Sequence, residues 1–267
     1  MKIALCISGY VGAMKKFHVG EELLIDISEG YSYIKENIIQ DHDVDTFIHS
    51  FDINRKNEIL NTYKPVSYCI EKQIKEFKIN HMDYNHIIHP HTNKDYSVSK
   101  VIFATQSQFY SRQKSMQLKS KYEKENNFKY DWVVIARMDM GYFKPFVFKD
   151  KDQSKVYLPG PEGTAKGSKV VDRLNDVCMF GGSEIMNKVG DFYDDIENCG
   201  LVNKLPGQSE CYHAHITLAN YFKRCGIWDK IVYYQNRPWG DPVWTPGDIG
   251  MLRAKPNVKT IKSGNTN

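Results

Sequence analysis

The apolar and polar positions of this chain alternate between short apolar runs and longer stretches in which apolar residues recur at helical spacing. The apolar runs predict strands at residues 2–7, 43–50, 65–70, 132–136 and 176–182. The amphipathic stretches predict helices at residues 19–39, 97–125, 183–196 and 209–224. Because strands and helices alternate in this way, we expect an α/β fold with a central mixed, mainly parallel sheet flanked by helices.

The longest predicted helix has a clear apolar face. Ile102, Phe109 and Met116 fall on one side of it, which predicts that this side packs on the sheet. Ser97 or Ser99 can cap its N-terminus, since a serine oxygen accepts a bond from a free amide of the first turn.

The length and composition indicate one globular domain. The chain has 267 residues, of which 41% are hydrophobic and 25% charged, and we expect a single domain over residues 1–262 with a poorly ordered polar tail at 263–267. The net charge of +4 is spread along the chain among acidic residues, so no nucleic-acid or anionic-membrane partner is expected.

The N-terminus and the cysteines bear on the cellular compartment. Met1 and Lys2 lead directly into an apolar strand with no stretch long enough for a signal peptide or a transmembrane helix, so we expect a cytoplasmic protein. The six cysteines include no Cys-x-x-Cys pair. This spacing indicates neither a zinc site nor a disulfide framework, and we expect reduced, mostly buried thiols.

The strand at residues 132–136 runs directly into Arg137 and Asp139. Ligands of open α/β sheets bind at the carboxyl ends of the strands, where an arginine can bind phosphate and an aspartate can hold a divalent cation. Arg112 on the preceding helix would add a second guanidinium if its side chain turns inward. The alternatives are a structural ion pair at Arg137 and Asp139, and a solvated helix face at Arg112.

The first two strands also end in candidate binding residues. Ser8, Gly9 and Tyr10 follow the first strand, where backbone amides and a hydroxyl can contact a nucleotide. His49 and Asp52 close the second strand, where Asp52 can accept a hydrogen bond from a ribose or a base. A plain strand-to-helix turn and a capped loop are the respective alternatives.

The second half of the chain contributes candidate catalytic residues. Glu210 and His213 are three apart and share a helix face, so they can act as general base and metal ligand, or else as surface polar residues of a capped helix. Asp176, beside a double glycine, is a candidate to contact an acceptor hydroxyl. The turn-rich residues 159–168 predict a mobile lid.

Several short motifs together resemble the GT-A glycosyltransferases, of the small type found in bacteria and in large DNA viruses and phages. The motifs lie at residues 3–9, 45–52, 106–111, 130–139, 175–182 and 209–210. The resemblance covers most of the chain and implies a single Rossmann-like domain, in the host cytoplasm if the source is viral. It also implies a nucleoside-diphosphate sugar donor and a glycan acceptor.

The resemblance assigns roles to particular residues. Asp139 matches the last aspartate of the family's Asp-x-Asp motif and would hold Mn or Mg, with His213 or His215 completing the site. Arg137 stands where many members have the first aspartate, so metal-independent catalysis with Arg137 on the diphosphate is the alternative. The expected donor-binding residues are Ser8, Gly9, Tyr10, His49, Asp52, Gln106, Arg112, Arg137 and Asp139.

The expected function is transfer of a sugar from a nucleoside-diphosphate sugar to a hydroxyl acceptor. Arg137 and Arg112 would neutralise the leaving group, and Glu210 or Asp176 would deprotonate the acceptor if the enzyme inverts configuration. Two alternatives stay open: a non-catalytic protein that binds a nucleotide or glycan on the same scaffold, and a sugar nucleotidyltransferase.

Overall fold

The computed structural model describes residues 1–11, 13–15, 22–84, 98–159, 173–199, 214–234, 249–251 and 260–262. The strands are β1 (Lys2–Ser8), β2 (Ala13–Lys15), β3 (Glu22–Ile25), β4 (Asp43–Ser50), β5 (Ser67–Ile70), β6 (Trp132–Arg137), β7 (Met140–Tyr142), β8 (Val156–Leu158), β9 (Met179–Gly182), β10 (Ile231–Tyr233), β11 (Ile249–Met251) and β12 (Thr260–Lys262). The helices are α1 (Ile27–Ile34), α2 (Lys56–Tyr63), α3 (Val98–Glu125), α4 (Ser183–Gly190) and α5 (Ala214–Arg224).

The central sheet has seven strands in the order β10-β8-β9-β6-β1-β4-β5. Strand β9 runs antiparallel to both of its neighbours, and the other four neighbouring pairs are parallel. The prediction of an α/β fold with a mixed, mainly parallel sheet flanked by helices is therefore confirmed, and the arrangement is consistent with one Rossmann-like domain. Two smaller sheets pair β11 with β7, and β12 with β3 and β2.

Strand β1 lies between β4 and β6, and it is buried from Ile3 onward. Alternate residues face opposite sides, as a strand requires. Ala4 and Cys6 belong to the core beneath α3, α4 and α5, whereas Ile3, Leu5 and Ile7 belong to the core beneath α1 and α2. The central strands read as continuous apolar runs because both faces of the sheet are covered.

The register of the parallel strands brings their carboxyl ends to one edge. Ser8 of β1 lies opposite His49 of β4 and Arg137 of β6. His49 in turn lies opposite Cys69 of β5. This end of the sheet is called the carboxyl edge below, and it collects most of the predicted site residues.

Helix α3 confirms the predicted apolar face, with Ile102, Phe109 and Met116 buried. It begins at Val98, so Ser99 lies inside the helix and the prediction of a cap at Ser99 is wrong. Ser97, the alternative cap, lies outside the described residues.

Two other predicted boundaries are wrong in the first third of the chain. Residues 22–25 form β3 rather than the start of a helix, because they pair with β2 and β12. The helix starts only at Ile27, where the Asp26 side chain caps it by accepting from Ser28 N at 2.9 Å. Strand β5 begins at Ser67 rather than at Pro65, and a proline has no amide to donate to a strand ladder.

Boundaries differ in the second half as well. The strand predicted from Asp176 begins at Met179, because the amide of Val177 donates to Asn175 Oδ1 at 3.0 Å and is taken from the ladder. The helix predicted over 183–196 ends at Gly190 and continues as a 3-10 helix, Asp191–Asn198. Residues 209–213, residues 160–168 of the lid predicted over 159–168, and the tail at 263–267 lie outside the described residues.

Most of the described thiols are buried, as expected. The described cysteines are all free: Cys6, Cys178 and Cys199 are buried, Cys69 is partly buried and Cys225 is exposed. In the described part of the chain, no helix has both the length and the apolar character that crossing a bilayer would take.

Candidate functional site

Two polar clusters lie at the carboxyl edge. The arginine cluster consists of Arg112, Arg137, Asp139, Asp176 and His215. The histidine cluster consists of His49, Cys69, Glu71, Tyr110 and Ser111. Adjacent residues of α3, Ser111 and Arg112, contribute to one cluster each, so this helix joins the two.

Arg137 and Asp139 form a doubly bonded ion pair at the end of β6. Arg137 Nε donates to Asp139 Oδ1 at 2.8 Å, and Nη2 donates to Oδ2 at 2.7 Å. Burial would lower the pKa of Arg137, but the charge and hydrogen bonds of Asp139 outweigh burial and raise that pKa above its ordinary value. The backbone of Arg137 is fixed too, since its amide donates to Tyr142 Oη at 2.8 Å. The structural ion pair considered for this motif is therefore present.

Arg112 points inward, so the alternative of a solvated helix face at this position is wrong. Its side chain is buried, with the guanidinium 5.1 Å from the ring centre of Phe109. Nη2 donates to the backbone oxygen of Asp176, whereas Nε and Nη1 have no hydrogen-bond acceptor among the described residues. Burial lowers the pKa of Arg112 to about 10, which leaves it charged at neutral pH. A buried cation with two unused donors is suited to binding an anion.

Asp176 connects Arg112 to the second half of the chain. Its Oδ2 accepts from Gln108 Nε2, and its Oδ1 lies 3.5 Å from Nδ1 of His215. Burial would raise the pKa of Asp176, but His215, Arg137 and Arg112 together lower it. A carboxylate with a lowered pKa is a poor proton acceptor near neutral pH, so these contacts favour a positioning role over the predicted role as general base.

The loop after β1 is held by its backbone. Gly9 has a φ of +104°, a value that side chains rarely allow. Its amide donates to Ser111 Oγ and to the His49 oxygen, both at 3.2 Å, and its oxygen accepts from Ser50 Oγ at 2.7 Å. Ser8 is buried, and Tyr10 presents the exposed ring at this edge.

His49 is fully buried at the end of β4, and both ring nitrogens are engaged. Nδ1 lies 2.7 Å from Ser111 Oγ, and Nε2 lies 3.1 Å from Glu71 Oε1. Burial lowers the pKa of His49 despite the attraction of Glu71, so the ring is neutral at neutral pH. These contacts account for the buried ring without a donor molecule.

Two further predicted donor-binding residues differ in their surroundings. Asp52 is partly buried and lies beside Phe51, and burial raises the pKa of Asp52 against the opposing effect of Arg55. Gln106 is fully buried, and its amide is bonded at both ends to the backbone of Ile79, at 2.8 Å each. The contacts of Gln106 anchor the segment that contains Ile79 and account for the buried amide without a ligand.

The described residues do not complete a metal site at Asp139. Both oxygens of that carboxylate are held by Arg137. Within the described ranges, one group of three metal-ligating side chains lies close together, and it consists of His49, Cys69 and Glu71. Glu210 and His213, predicted as base and metal ligand, lie outside the described residues.

A cavity of about 410 Å³ opens at the other end of the sheet. It is lined by Met1, His42 and Phe148 among other residues. Since Met1 precedes β1 and His42 precedes β4, this cavity lies at the amino ends of the strands. The two clusters at the carboxyl edge are therefore separate from it.

Several residues that belong to the two clusters or bond to them were not predicted from the sequence. They are Gln108, Tyr110, Ser111, Cys69 and Glu71. One signal was available: polar residues recur along α3 at helical spacing, at positions 108, 111, 112, 115 and 119. The structure buries the last four of these positions, so the polar stripe marks an inner face.

Comparison of the chain with models of known protein families gives no match, and comparison with curated proteins gives none either.

Proposed function

We propose that this chain is a GT-A glycosyltransferase that moves a sugar from a nucleoside-diphosphate sugar to a hydroxyl group of a glycan acceptor. The observation that supports this proposal is the buried guanidinium of Arg112 beside Arg137 at the carboxyl edge, two of whose nitrogens have no acceptor among the described residues. Ligands of open α/β sheets bind at this edge. A diphosphate is an anion of the charge and acceptor number that these arginines can satisfy.

The reaction breaks the bond between the sugar anomeric carbon and the diphosphate oxygen and forms one to the acceptor oxygen. Negative charge grows on the departing diphosphate, and preorganised arginines stabilise charge that develops in this way. In an inverting reaction the acceptor proton goes to a carboxylate, and the proposal assigns this role to Glu210 because Asp176 is held by positive neighbours. The described residues supply no complete cation site at Asp139, so the proposal rests on the arginines.

The proposal also implies where the protein acts and with what. Its partners are a nucleotide sugar and a glycan acceptor. The proposed site of action is the cytoplasm, that of the host if the source is viral.

A thermal-shift screen of nucleoside diphosphates, with and without Mn, tests the proposal. A nucleotide in hundredfold excess over its dissociation constant stabilises the folded protein by about 2.7 kcal/mol. We expect one nucleoside diphosphate to stabilise the wild type and the control variant Asp229→Ala, which removes an exposed carboxylate. The shift is expected to be smaller in Arg112→Met. If no nucleotide stabilises a well-folded wild type, the proposal fails.

Two further readouts separate the competing functions. A glycosyltransferase slowly hydrolyses its donor without acceptor and releases the nucleoside diphosphate. A binding protein holds the nucleotide without turnover. A nucleotidyltransferase instead releases pyrophosphate from a nucleoside triphosphate and a sugar phosphate. Dependence of the shift on Mn, lost in Asp139→Ala, would show that a cation binds at Asp139.

A further inference from the structure

Three side chains with metal-binding atoms converge where β4 and β5 end. His49 and Cys69 are directly opposite each other in the parallel register, so their side chains leave the same face of the sheet. Glu71 is two residues beyond Cys69, and its amide continues the ladder by donating to the Ser50 oxygen at 3.1 Å. Because residues two apart in an extended chain share a face, the register itself brings all three together.

The ligand atoms are spaced as a small metal site requires. The His49 nitrogen, the Cys69 sulfur and a Glu71 oxygen all lie within 4.8 Å of one another, and His49 Nε2 is 3.1 Å from Glu71 Oε1. Tetrahedral zinc with bonds of about 2.0 Å to nitrogen or oxygen and 2.3 Å to sulfur holds its ligands about 3.3–3.6 Å apart. Side-chain shifts of about 1 Å or less would therefore bring the three groups to bonding distance.

We propose that His49, Cys69 and Glu71 bind Zn²⁺ or a similar thiophilic divalent cation, with the fourth coordination position open to solvent. A thiolate with an imidazole selects zinc over the harder Mg²⁺ and Mn²⁺. This site is therefore different in chemistry from a cation at Asp139, and it does not depend on the proposed transferase activity.

Neighbouring hydroxyl groups are placed to orient two of the ligands. Ser111 Oγ lies 2.7 Å from His49 Nδ1 and can donate its own proton to the His49 backbone oxygen at 3.3 Å. Nδ1–H can therefore donate to Ser111, which leaves the lone pair of Nε2 directed toward Glu71. Tyr110 Oη donates to Glu71 Oε1 at 3.2 Å. Metal-binding histidines characteristically donate the N–H of the ring nitrogen that does not bind the metal, as His49 Nδ1 can donate to Ser111.

The exposure of the three side chains provides both an anchor and an entrance. His49 is fully buried, Cys69 is partly buried, and the Glu71 side chain is 37% exposed. A cation can therefore enter from the Glu71 side and meet a rigid imidazole. The arrangement of three protein ligands and one solvent-facing position is typical of zinc sites that bind water or substrate.

Cobalt titration of the chelator-stripped full chain tests this proposal. We expect one Co²⁺ per chain, with the near-ultraviolet band of a cobalt–thiolate bond and the intense visible bands of tetrahedral cobalt, and displacement by Zn²⁺. Cys69→Ser should lose the near-ultraviolet band, and Glu71→Gln should weaken binding at least tenfold. Cys225→Ser, which changes an exposed cysteine, should behave as the wild type.

Two results would overturn the proposal. One is a folded wild type that binds no Co²⁺ or Zn²⁺ at equimolar protein. The other is a thiolate band that survives Cys69→Ser but disappears in Cys211→Ser, which would place the site elsewhere. Ser111→Ala keeps all three ligands and should weaken binding by about 10–100-fold while retaining the band.

Discussion

Asp139 engages two nitrogens of Arg137, with Nε to Oδ1 at 2.8 Å and Nη2 to Oδ2 at 2.7 Å. The two side chains retain only 22% and 11% of their exposure, so water screens this pair weakly. The pair closes the end of β6. A phosphate that binds Arg137 must compete with Asp139 or share the remaining guanidinium donors.

The geometry of this pair predicts strong coupling between the two residues. Asp139→Ala leaves a largely buried arginine without its acceptor and should lower the free energy of unfolding by about 3–5 kcal/mol. Arg137→Ala should have a comparable effect, and the double variant should cost less than the sum of the two. Urea unfolding measures all three. The exposed pair Lys121 and Glu125 is the control, and its coupling should be a few tenths of a kcal/mol.

Additive single effects at Arg137 and Asp139 would contradict this interpretation. They would mean that each side chain is stabilised by other groups. In that case Mn binding at Asp139 would not have to break a stabilising ion pair with Arg137.

Substitution of alanine for Gly182 or for Gly9 should lower the stability by similar amounts but for different physical reasons. A Cβ on Gly182 would lie 2.6 Å from the oxygen of Gln153, although its φ of −65° is ordinary. A Cβ on Gly9 would meet nothing within 4 Å, but its φ of +104° strains any other residue. We expect Gly182→Ala to cost about 1–3 kcal/mol through overpacking and Gly9→Ala about 1–2 kcal/mol through backbone strain.

The two cases can be distinguished by relieving the contact. Gln153→Gly removes the Gln153 Cβ, which is 2.7 Å from the added Cβ at Gly182, and should recover part of the loss in Gly182→Ala. The same change should leave Gly9→Ala unaffected. Thermal unfolding of Gly182→Ala and Gly9→Ala, each with and without Gln153→Gly, measures the recovery. An equal recovery of stability in the two cases would contradict the steric explanation.

The buried strands were predictable because few other structures bury every side chain of a short apolar run. Residues of β1 and β6 form apolar runs that are typical of a sheet covered on both faces. Residues 22–25 are different, because a run of only three apolar residues, Leu23 to Ile25, fits a helix or a strand equally well. Pairing with β12, more than two hundred positions away in sequence, makes these residues a strand. A local pattern contains no information about that partner.

The candidate site was predictable where it follows strand ends and unpredictable where it depends on register. Arg137 and Asp139 directly follow a run of buried apolar residues, so the sequence alone places both at the end of that strand. The proximity of Cys69 to His49 follows only from the pairing of β4 with β5. Spacing rules for metal ligands therefore missed this pair, since they examine cysteines and histidines that are close in sequence.

The environment of Asp176 predicts a pH dependence of stability. Burial opposes ionisation of this carboxyl, but His215, Arg137 and Arg112 outweigh it and lower its pKa below the ordinary 3.8. The unfolded chain therefore takes up a proton at higher pH than the folded chain. The ionised Asp176 carboxylate adds to the free energy of unfolding. This contribution is fully present above the pKa that Asp176 has in the unfolded chain, and it is lost as the pH falls through the pKa that Asp176 has in the folded chain.

Asp176→Asn should therefore be less stable than the wild type at neutral pH, and the difference should shrink as the pH falls below the ordinary pKa of 3.8. Urea unfolding at a series of pH values measures the two profiles. Asp229→Asn, at an exposed aspartate, should follow the wild type. A constant difference between Asp176→Asn and the wild type down to acid pH would show that Asp176 does not titrate as described.

Substitution of methionine for Arg112 and for Lys119, two buried cations of one helix, should lower the free energy of unfolding by different amounts. Both cations are buried in α3, but the Lys119 ammonium donates to Glu123 and Asn187, each at 2.9 Å, and to Ser183. Lys119→Met should cost about 3–5 kcal/mol because Glu123 loses its charge partner in the interior. Arg112→Met loses one hydrogen bond but also removes two buried donor nitrogens that have no acceptor in the described part of the chain, so its cost should stay within about 1–2 kcal/mol.

The same pair of variants separates a structural arginine from a ligand-binding one. Arg112→Met should weaken binding of the stabilising nucleoside diphosphate at least tenfold, since charge-assisted hydrogen bonds contribute about 1.5–3 kcal/mol. Urea unfolding without ligand and thermal shift with ligand are measured on both variants. If Arg112→Met destabilises the free protein as much as Lys119→Met does, the unused nitrogens have acceptors within the chain, and the anion-binding role of Arg112 is wrong. If its stability is preserved while nucleotide binding falls, the buried guanidinium is kept for a ligand, because the fold itself gains little from it.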